Sequence, residues 1–281
     1  MLNYEMQGLT WQALKRNQQD AILIAGKVIQ HKGVYSKFFN FHVNESWCVA
    51  VADGVSSHSY SDRAAKQVLK SIQRYYAEHQ QDIRFSHIQE QLCTALDKID
   101  TDWDDEHIDE PEQAVTHGAS TTMALLRHSA QDQGNIIKIQ SLGDSRVYMF
   151  SQQTQQWLLL TQDDNFLNEL VNAEGLNDAE LAAQYGMGQK ELASMYYVLT
   201  GFFCADGLHE VSEKPTLTYT AQHGDAFLVC TDGVFDALPA EQWQPILAEQ
   251  SLKQWLETFL KCLSPTAGDN VSLVLVRAKE V

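Results

Sequence analysis

The sequence predicts an α+β fold in which two packed, mainly antiparallel β-sheets carry helices on their outer faces. Three observations predict it: segments with strand composition recur along most of the chain, two helical stretches interrupt them early, and another helical stretch comes late. With 281 residues, of which 44% are hydrophobic, the chain can bury such a core. We expect one domain over residues 1–281, since no fixed-period repeat and no Pro- or Gly-rich linker divides the chain.

The first elements in chain order are two strands and two helices. Apolar and β-branched residues predict strands over 21–28 and 47–51. Beyond Asp62, apolar residues recur at three- and four-residue spacing, which predicts an amphipathic helix. A second helix is predicted from Ser86, where Gln89 completes a capping-box pattern.

The remaining chain is predicted to be strand-rich, with one polar interruption. The acidic stretch over 100–112 is expected to be a solvated loop. Between about 163 and 195 the pattern is helical, polar and broken by glycines, and we expect a mobile flap there. An apolar stripe over 252–263 predicts the late helix. Strands are predicted over 121–127, 136–142, 146–150, 157–160, 196–200, 216–220, 226–231 and 271–276.

Charge and cysteine usage exclude several classes of function. A net charge of −17 argues against nucleic-acid and anionic-membrane partners, which need clustered Lys and Arg. The first residues lack the basic and apolar regions of a signal peptide, and no apolar run approaches the roughly 20 residues that span a bilayer. We therefore expect a cytoplasmic protein. The five cysteines form no C-x-x-C pair, so zinc and redox motifs are not indicated, and we expect them to be small core residues.

Aspartates in turns at the ends of apolar runs, here called acidic corners, carry most of the functional information. Asp53 and Asp232 each follow such a run and precede glycine, Asp269 precedes an apolar run, and Asp144 follows one. A single Asp-Gly corner is usually a hairpin turn, which is our interpretation of Asp206. Four carboxylates at strand ends indicate instead a site for a hard cation such as Mg²⁺ or Mn²⁺.

These corners belong to a larger set of motifs in a fixed order. Together they resemble the ordered motifs of the metal-dependent type 2C protein serine/threonine phosphatases, the PPM family, over nearly the whole chain. The segments are Lys-Arg-Asn-Gln-Gln-Asp-Ala at 15–21, Ala-Asp-Gly-Val at 52–55, Gly-Ala-Ser-Thr-Thr at 118–122, Leu-Gly-Asp-Ser-Arg-Val-Tyr at 142–148, Thr-Asp-Gly-Val-Phe-Asp at 231–236 and Gly-Asp-Asn-Val-Ser at 268–272.

The resemblance implies a four-layer α/β/β/α sandwich with two Mg²⁺ or Mn²⁺ ions at one end. By position, Asp53 would bridge both ions and the carbonyl of Gly54 would bind one of them. Asp232 and Asp269 would hold the other ion. A third, weaker site would be formed by Asp144 and Asp236 together with Asp232.

The first motif departs from the family pattern and leaves one assignment open. Asp20 falls where the family has a carboxylate that orients metal-bound water, and Gln19, which has no charge, would hold a metal through water. Lys15 stands where the family usually grips phosphate with Arg, and Arg16 follows it. Lys offers a point charge and Arg a bidentate fork, so either residue could bind the phosphoryl group. His58 is interpreted as a surface or capping residue.

The resemblance implies a phosphatase that hydrolyses phosphoserine and phosphothreonine in proteins, by direct attack of water activated by two metal ions. Two alternatives stay open: a phosphatase-like regulatory binding protein with little activity, and a phosphomonoesterase for small molecules with the same fold. The altered first motif and the pair Ser56-Ser57 fit the regulatory alternative. The expected partners are phosphorylated proteins and a cognate Ser/Thr kinase or its targets, and we expect a monomer.

Overall fold

The computed structural model describes residues 2–42, 44–101, 118–132, 135–175 and 197–280. Most of the predicted acidic loop and residues 176–195 of the predicted flap therefore lie outside the described residues. The strands are β1 (Leu2–Trp11), β2 (Ala21–Ile24), β3 (Lys27–Ile29), β4 (Tyr35–Phe41), β5 (Trp47–Ala52), β6 (Ser120–Thr121), β7 (Met123–His128), β8 (Ile136–Leu142), β9 (Arg146–Ser151), β10 (Gln156–Leu159), β11 (Phe203–Cys204), β12 (Leu217–Thr220), β13 (Ala226–Cys230) and β14 (Val271–Glu280). The helices are α1 (Ser61–His79), α2 (Phe85–Thr101), α3 (Phe166–Glu174), α4 (Asp232–Phe235) and α5 (Leu252–Leu263), with a 3-10 turn at Ala240–Gln242.

Two six-stranded antiparallel sheets form the centre of the molecule. The first has the strand order β10-β9-β13-β14-β1-β4, and the second has the order β12-β8-β7-β5-β2-β3. Strands β6 and β11 form a separate two-stranded ladder. The long pairing of β1 with β14 runs from Leu2 opposite Glu280 to Trp11 opposite Val271, so it joins the two ends of the described chain.

Side-chain alternation along the strands produces three layers of core. In β5, Val49 and Val51 face the first sheet, whereas Cys48 and Ala50 pack against α1 and α2. A third cluster fills the space between the outer face of the first sheet and α5, where Trp255 is fully buried. The layer order is therefore helices, sheet, sheet, helix, which confirms the predicted α/β/β/α sandwich.

One predicted strand is a hairpin. Residues 21–28 form β2 and β3, joined by a turn in which Ala25 and Gly26 both have positive φ, 49° and 64°. Two consecutive positive φ values match the two-residue turn that suits the twist of a hairpin, and Ala is an unusual residue for the first position. Strands β1, β4 and β11 were not predicted. The strand predicted over 196–200 is wrong, since within its described part, 197–200, only Leu199 pairs, in an isolated bridge to Asn165.

The predicted capping box at the start of α2 is also wrong. The helix begins at Phe85, and the carboxylate of Glu213 accepts hydrogen bonds from the amides of Phe85 and Ser86, at 2.9 and 3.0 Å, and from the Ser86 hydroxyl at 2.7 Å. The Gln89 side chain instead binds both backbone groups of Cys204. A residue distant in sequence therefore satisfies the helix terminus that a local pattern was expected to satisfy.

The cysteines are only partly core residues. Cys48, Cys204 and Cys230 are buried, and burial raises the pKa of the Cys48 thiol to about 12. Cys93 is half-buried and Cys262 is exposed, because it lies on the solvent side of α5. Of the helices in the described part of the chain, none has the length and apolar composition needed to cross a membrane.

A cluster of charges stabilises the end of the first sheet far from the acidic corners. Glu5 binds the nearly buried guanidinium of Arg277 at 2.6 Å and the ammonium of Lys279 at 2.8 Å. Burial alone would raise the pKa of Glu5, but hydrogen bonds from Lys279 and Arg277 outweigh it and lower the pKa. The ionised carboxylate is therefore the form that the fold stabilises.

We expect Glu5→Gln to lower the free energy of unfolding at pH 7 by about 1–3 kcal/mol, because a buried guanidinium loses its charged partner. A lowered folded-state pKa contributes stability above the unfolded value of about 4.5 that is lost as the pH falls through the folded value. The difference between wild type and variant in urea unfolding should therefore shrink below pH 4.5. Glu257→Gln, at an exposed pair with a 3.9 Å separation, is the control and should change stability by less than about 0.5 kcal/mol; equal effects would contradict the assignment.

Candidate metal centre

The sheet topology brings the predicted acidic residues to one edge of the sandwich. Asp53 follows β5 and Asp20 precedes β2, and the pairing of Ala21 with Ala52 places these two carboxylates side by side. Asp232 follows β13 and opens α4, while Asp269 comes two residues before β14, the neighbouring strand. Asp144 follows β8 in the same region and is close enough to Asp232 for its pKa to respond to that charge.

The backbone at Asp53 is held tightly. Its carbonyl oxygen accepts hydrogen bonds from the amide of Thr122, at 2.9 Å, and from the hydroxyl of Thr121, at 2.7 Å. A Cβ on Gly54 would lie 2.7 Å from the backbone of Ser61, so only glycine allows this close approach of α1. The Asp-Gly pair is thus required by packing as well as by any ligand role.

Asp53 and Asp232 interact directly through their side chains. Burial raises the pKa of Asp53 well above its usual range, and the charges of Asp232 and Asp20 add to the effect. Burial also raises the pKa of Asp232, against a hydrogen bond from Asp53 that lowers it. Two buried carboxyl groups in contact cannot both ionise without a nearby positive charge, so they share a proton or require a cation.

Asp20 is held by a buried network of hydroxyl groups. Its side chain is almost fully buried, and its Oδ2 accepts a 2.8 Å hydrogen bond from Thr231 Oγ1. Thr231 Oγ1 in turn accepts from the amide of Ser272 at 3.2 Å, and the Ser272 hydroxyl bonds to Thr10. Burial, then the charge of Asp232, raises the pKa of Asp20 to about 7. Its Oδ1 is buried and has no hydrogen-bond partner at normal distance and angle among the described residues.

Sequence reasoning missed the hydroxyl residues of this network. Thr231 precedes the Asp-Gly corner, and Ser272 is the polar member of the otherwise apolar run over 271–276. A hydroxyl in a strand buried on both faces is the signal that could have identified Ser272, because buried polar groups need partners.

Asn270 connects the last motif to the first. Its Oδ1 accepts from the amide of Gln19 at 2.7 Å, and its Nδ2 donates to the carbonyls of Gln12 and Asn17 at 2.9 and 3.0 Å. Its own amide donates to Asp269 Oδ1 at 2.7 Å. The backbone amide of Asn270 therefore fixes Asp269, and its side chain fixes the loop that carries the first motif.

Lys15 points into the acidic cluster, whereas Arg16 is exposed. Lys15 Nζ lies 2.8 Å from Asp269 Oδ2 and 3.3 Å from the Ser56 hydroxyl. The hydrogen bond to Asp269 raises the pKa of Lys15 against partial burial, with help from the charges of Asp232 and Asp53. Ser56 also donates to Gln19 Oε1 at 3.3 Å, so the predicted Gln19 lies at the same edge.

The two residues predicted for a third metal site lie on the far side of Asp232. Burial, then the charges of Asp232 and Asp163, raises the pKa of Asp144 to about 7. Partial burial of the carboxyl and the charge of Asp232 also raise the pKa of Asp236. Arg146 lies beside this region: it binds Asp163 at 2.6 and 2.8 Å, and its guanidinium lies 3.8 Å from the centre of the Phe235 ring.

The flanking acids have structural partners. Asp163 is occupied by Arg146, and Asp164 accepts from the Gly143 amide at 2.8 Å and pairs with Lys214. The exposed Asp206 accepts from the amide of Leu208 at 2.9 Å, as expected of a turn.

The donor chemistry of the cluster fits Mg²⁺ or Mn²⁺. All its donors are oxygens, several carboxylates are buried with raised pKa values, and Asp20 has an unpartnered oxygen. As they stand, no three His, Cys, Asp or Glu side chains of the described residues are arranged to hold one ion. The reason lies in the contacts above: the ammonium of Lys15 and the hydrogen bond between Asp53 and Asp232 compensate charge that a cation would otherwise neutralise.

The chain is similar to known proteins in sequence and in fold. The sequence profile of the family described as protein phosphatase 2C matches residues 36–275. A protein of Listeria welshimeri named serine/threonine phosphatase stp is 23% identical over 230 residues, which cover 81% of this chain and 83% of that protein.

Solved structures share the fold. The serine/threonine phosphatase PstP/Ppp of Mycobacterium tuberculosis superposes with a TM-score of 0.65 at 17% identity, covering both chains completely. The serine/threonine phosphatase Stp1 of Staphylococcus aureus gives a TM-score of 0.67 at 16% identity, covering 100% of this chain and 96% of that one. A PstP catalytic domain in complex with two manganese ions gives 0.64 at 18% identity, covering both chains completely.

We expect Asn270→Ala to release the loop over residues 12–19, because the loop loses three hydrogen bonds worth about 1 kcal/mol each. Brief trypsin treatment should then cut the variant after Lys15 or Arg16 at least about tenfold faster than wild type, since cleavage follows the population of the opened loop. Thr258→Ala, which removes an exposed hydroxyl on α5, is the control. Unchanged cleavage at the loop in Asn270→Ala would refute the anchoring role.

Proposed function

Because the chain belongs to the protein phosphatase 2C family, we propose that it hydrolyses phosphoserine and phosphothreonine in proteins and that this activity depends on Mg²⁺ or Mn²⁺. The observation that carries the proposal is the convergence of Asp20, Asp53, Asp232 and Asp269 at one sheet edge with an all-oxygen donor set. The names of the matched relatives, serine/threonine phosphatases, support the same substrate class.

The proposed ligands follow the positions of the motifs. Asp53 and the Gly54 carbonyl, with Asp232 and Asp269, would hold two ions, and Gln19 would act through water. Asp144 and Asp236 with Asp232 would form the weaker third site. When bound, the ions supply hydroxide at neutral pH and neutralise the charge of a phosphoryl group, which is the chemistry that hydrolysis without a protein nucleophile requires.

The side chains of the protein would orient the reacting water molecule and hold the phosphate-binding residue in place. Thr231 fixes Oδ2 of Asp20, which leaves Oδ1 to accept a hydrogen bond from a water molecule and to orient it. Asn270 holds the loop over residues 12–19, the first-motif loop, in place. Lys15 therefore stays beside the sheet edge that carries Asp20, Asp53, Asp232 and Asp269, which we call the acidic edge. Pre-set geometry of this kind lowers the entropy loss of the reaction step.

Between the two phosphate-binding candidates, the contacts favour Lys15. Its ammonium already lies at the acidic edge, where a phosphoryl group would meet the metal ions. Arg16, in contrast, is exposed to solvent. Binding of cations would weaken the attraction of Asp269 for Lys15 and free the ammonium for the phosphoryl oxygens. We therefore assign phosphate binding to Lys15.

A regulatory binding protein with little activity is the second candidate function. The ion pair between Lys15 and Asp269 is the observation that favours it, because an ammonium against a proposed ligand opposes cation binding. A phosphomonoesterase for small molecules is separated from the main proposal by comparing phosphopeptides with phosphorylated metabolites. For the main proposal, the expected partners in the cell are a Ser/Thr kinase or its phosphorylated targets. We expect the protein to act in the cytoplasm as a monomer.

The first test is hydrolysis of a phosphothreonine peptide with Mn²⁺, with Mg²⁺ and with EDTA. We expect turnover only with metal, and we expect Asp232→Asn to lower it by about 10²-fold or more, because a charged ligand is lost. Asp206→Asn, at an Asp-Gly corner outside the site, is the matched control and should keep full activity. Calorimetric titration of Mn²⁺ provides a second readout: ions bound without turnover would favour the regulatory candidate, and turnover in EDTA would refute metal dependence.

The assignment of Lys15 is tested by two neutral variants. Lys15→Gln should raise KM for the phosphopeptide about tenfold or more, since a charge-assisted hydrogen bond contributes roughly 1.5–3 kcal/mol. Arg16→Gln should change KM less than Lys15→Gln does. The reverse order would transfer the phosphate-binding role to Arg16.

A further inference from the structure

A groove of about 940 Å³ extends from the acidic edge across the surface beside the start of α1. Lys15, Gln19 and Ser56, which lie at the acidic edge, also line this groove, so the two are continuous. Its volume is in the range of sites that accept ligands as large as several side chains. The groove therefore begins where the proposed reaction takes place and leads away from it.

The lining of the groove is basic, in contrast to the rest of the protein. Besides Lys15 it presents Arg16, Lys32 and Arg63, against the single acid Asp62. These residues come from three separate segments: the first-motif loop, the connection after β3 and the first turn of α1. In a chain with 37 acids, 20 Lys and Arg, and a net charge of −17, this is a local reversal of charge.

The three outer cations, Arg16, Lys32 and Arg63, are not neutralised by a carboxylate of the described residues. Arg16 and Lys32 are exposed, and the guanidinium of Arg63 lies 4.8 Å from the centre of the Tyr60 ring, which restrains its position. Tyr60 is the residue before α1 and has a positive φ of 59°.

We propose that this groove binds acidic side chains that flank the phosphorylated residue of a protein substrate, and that Lys32 and Arg63 determine the preference. The inference rests on the proposed phosphatase function and adds the class of substrate sequence. The strongly negative surface elsewhere repels an acidic segment, so such a segment is favoured only along the groove, in an orientation that places its phosphoryl group at Lys15. Each exposed cation is expected to change the rate constant for an acidic substrate by only a few fold, and the two act together.

The test uses two phosphothreonine peptides that differ only in their flanking residues, three Glu in one and three Gln in the other. Wild type should hydrolyse the Glu peptide with a kcat/KM about three- to tenfold higher, through a lower KM, and the preference should shrink when the salt concentration rises to about 0.5 M. The double variant Lys32→Gln/Arg63→Gln should lose the preference while keeping the kcat/KM of wild type for the Gln peptide.

Lys253→Gln/Lys261→Gln on α5, which removes the same amount of charge from the opposite layer, is the matched control and should keep the preference. The inference would be overturned if wild type hydrolysed the two peptides at equal rates. It would also be overturned if the two double variants lost the preference for the Glu peptide to the same extent. Equal loss on both peptides in the groove variant would assign Lys32 and Arg63 a general role and overturn it as well. If neither peptide is hydrolysed under any metal condition, the failure is that of the proposed function.

Discussion

The structure depends on one electrostatic constraint: several carboxylates, of which Asp20 is buried and most of the others are half-buried, crowd together at one edge of a β-sandwich. Burial raises the pKa values of Asp20 and Asp53, and the charge of Asp232 raises both further. Without compensation, such a cluster destabilises the folded state, because each ionised group loses its hydration and repels the others. The local structure supplies part of that compensation through the hydroxyl of Thr231 and the ammonium of Lys15. The remaining deficit of positive charge is the physical reason to expect cations.

The fold tolerates this cluster because the rest of the sandwich is rigid and apolar. The fully paired β1 and β14 bring the first and last motifs to adjacent positions, and the side chain of Asn270 then joins them through three hydrogen bonds. Glycines allow the close approaches: a Cβ on Gly233 would overlap the carbonyl of Asn270, and one on Gly54 would overlap α1. The proposed ligand positions, which come from five separate segments, are thus fixed by the two sheets and not by the loops alone.

Much of the fold and of the candidate site can be predicted from the sequence. Two packed sheets with helices outside follow from the order of strand and helix patterns, the four-layer α/β/β/α order follows from the family resemblance, and the acidic corners follow from Asp residues at the ends of apolar runs. The parts that sequence reasoning missed depend on contacts between distant segments. Glu213 caps α2 from 127 residues away, and Ser272 serves Asp20 through Thr231, so no local pattern encodes either contact. Strand β1 was missed because Gln7 and Gly8 interrupt its apolar pattern, although pairing on both sides buries it.

The first motif departs from the family pattern in having Lys15 where arginine is usual, and the contacts of Lys15 give this difference a physical consequence. An arginine at position 15 would present a planar fork that binds a carboxylate or a phosphoryl group in a fixed geometry. Lysine presents a single mobile charge, which here neutralises Asp269 and contacts Ser56 at the same time. A point charge on a flexible stem can leave a carboxylate at a lower energetic cost than a bidentate pair can, because fewer hydrogen bonds must break. Lys15 is therefore suited to stabilise the acidic edge in the absence of cations and, under the proposed function, to bind phosphate when cations are present.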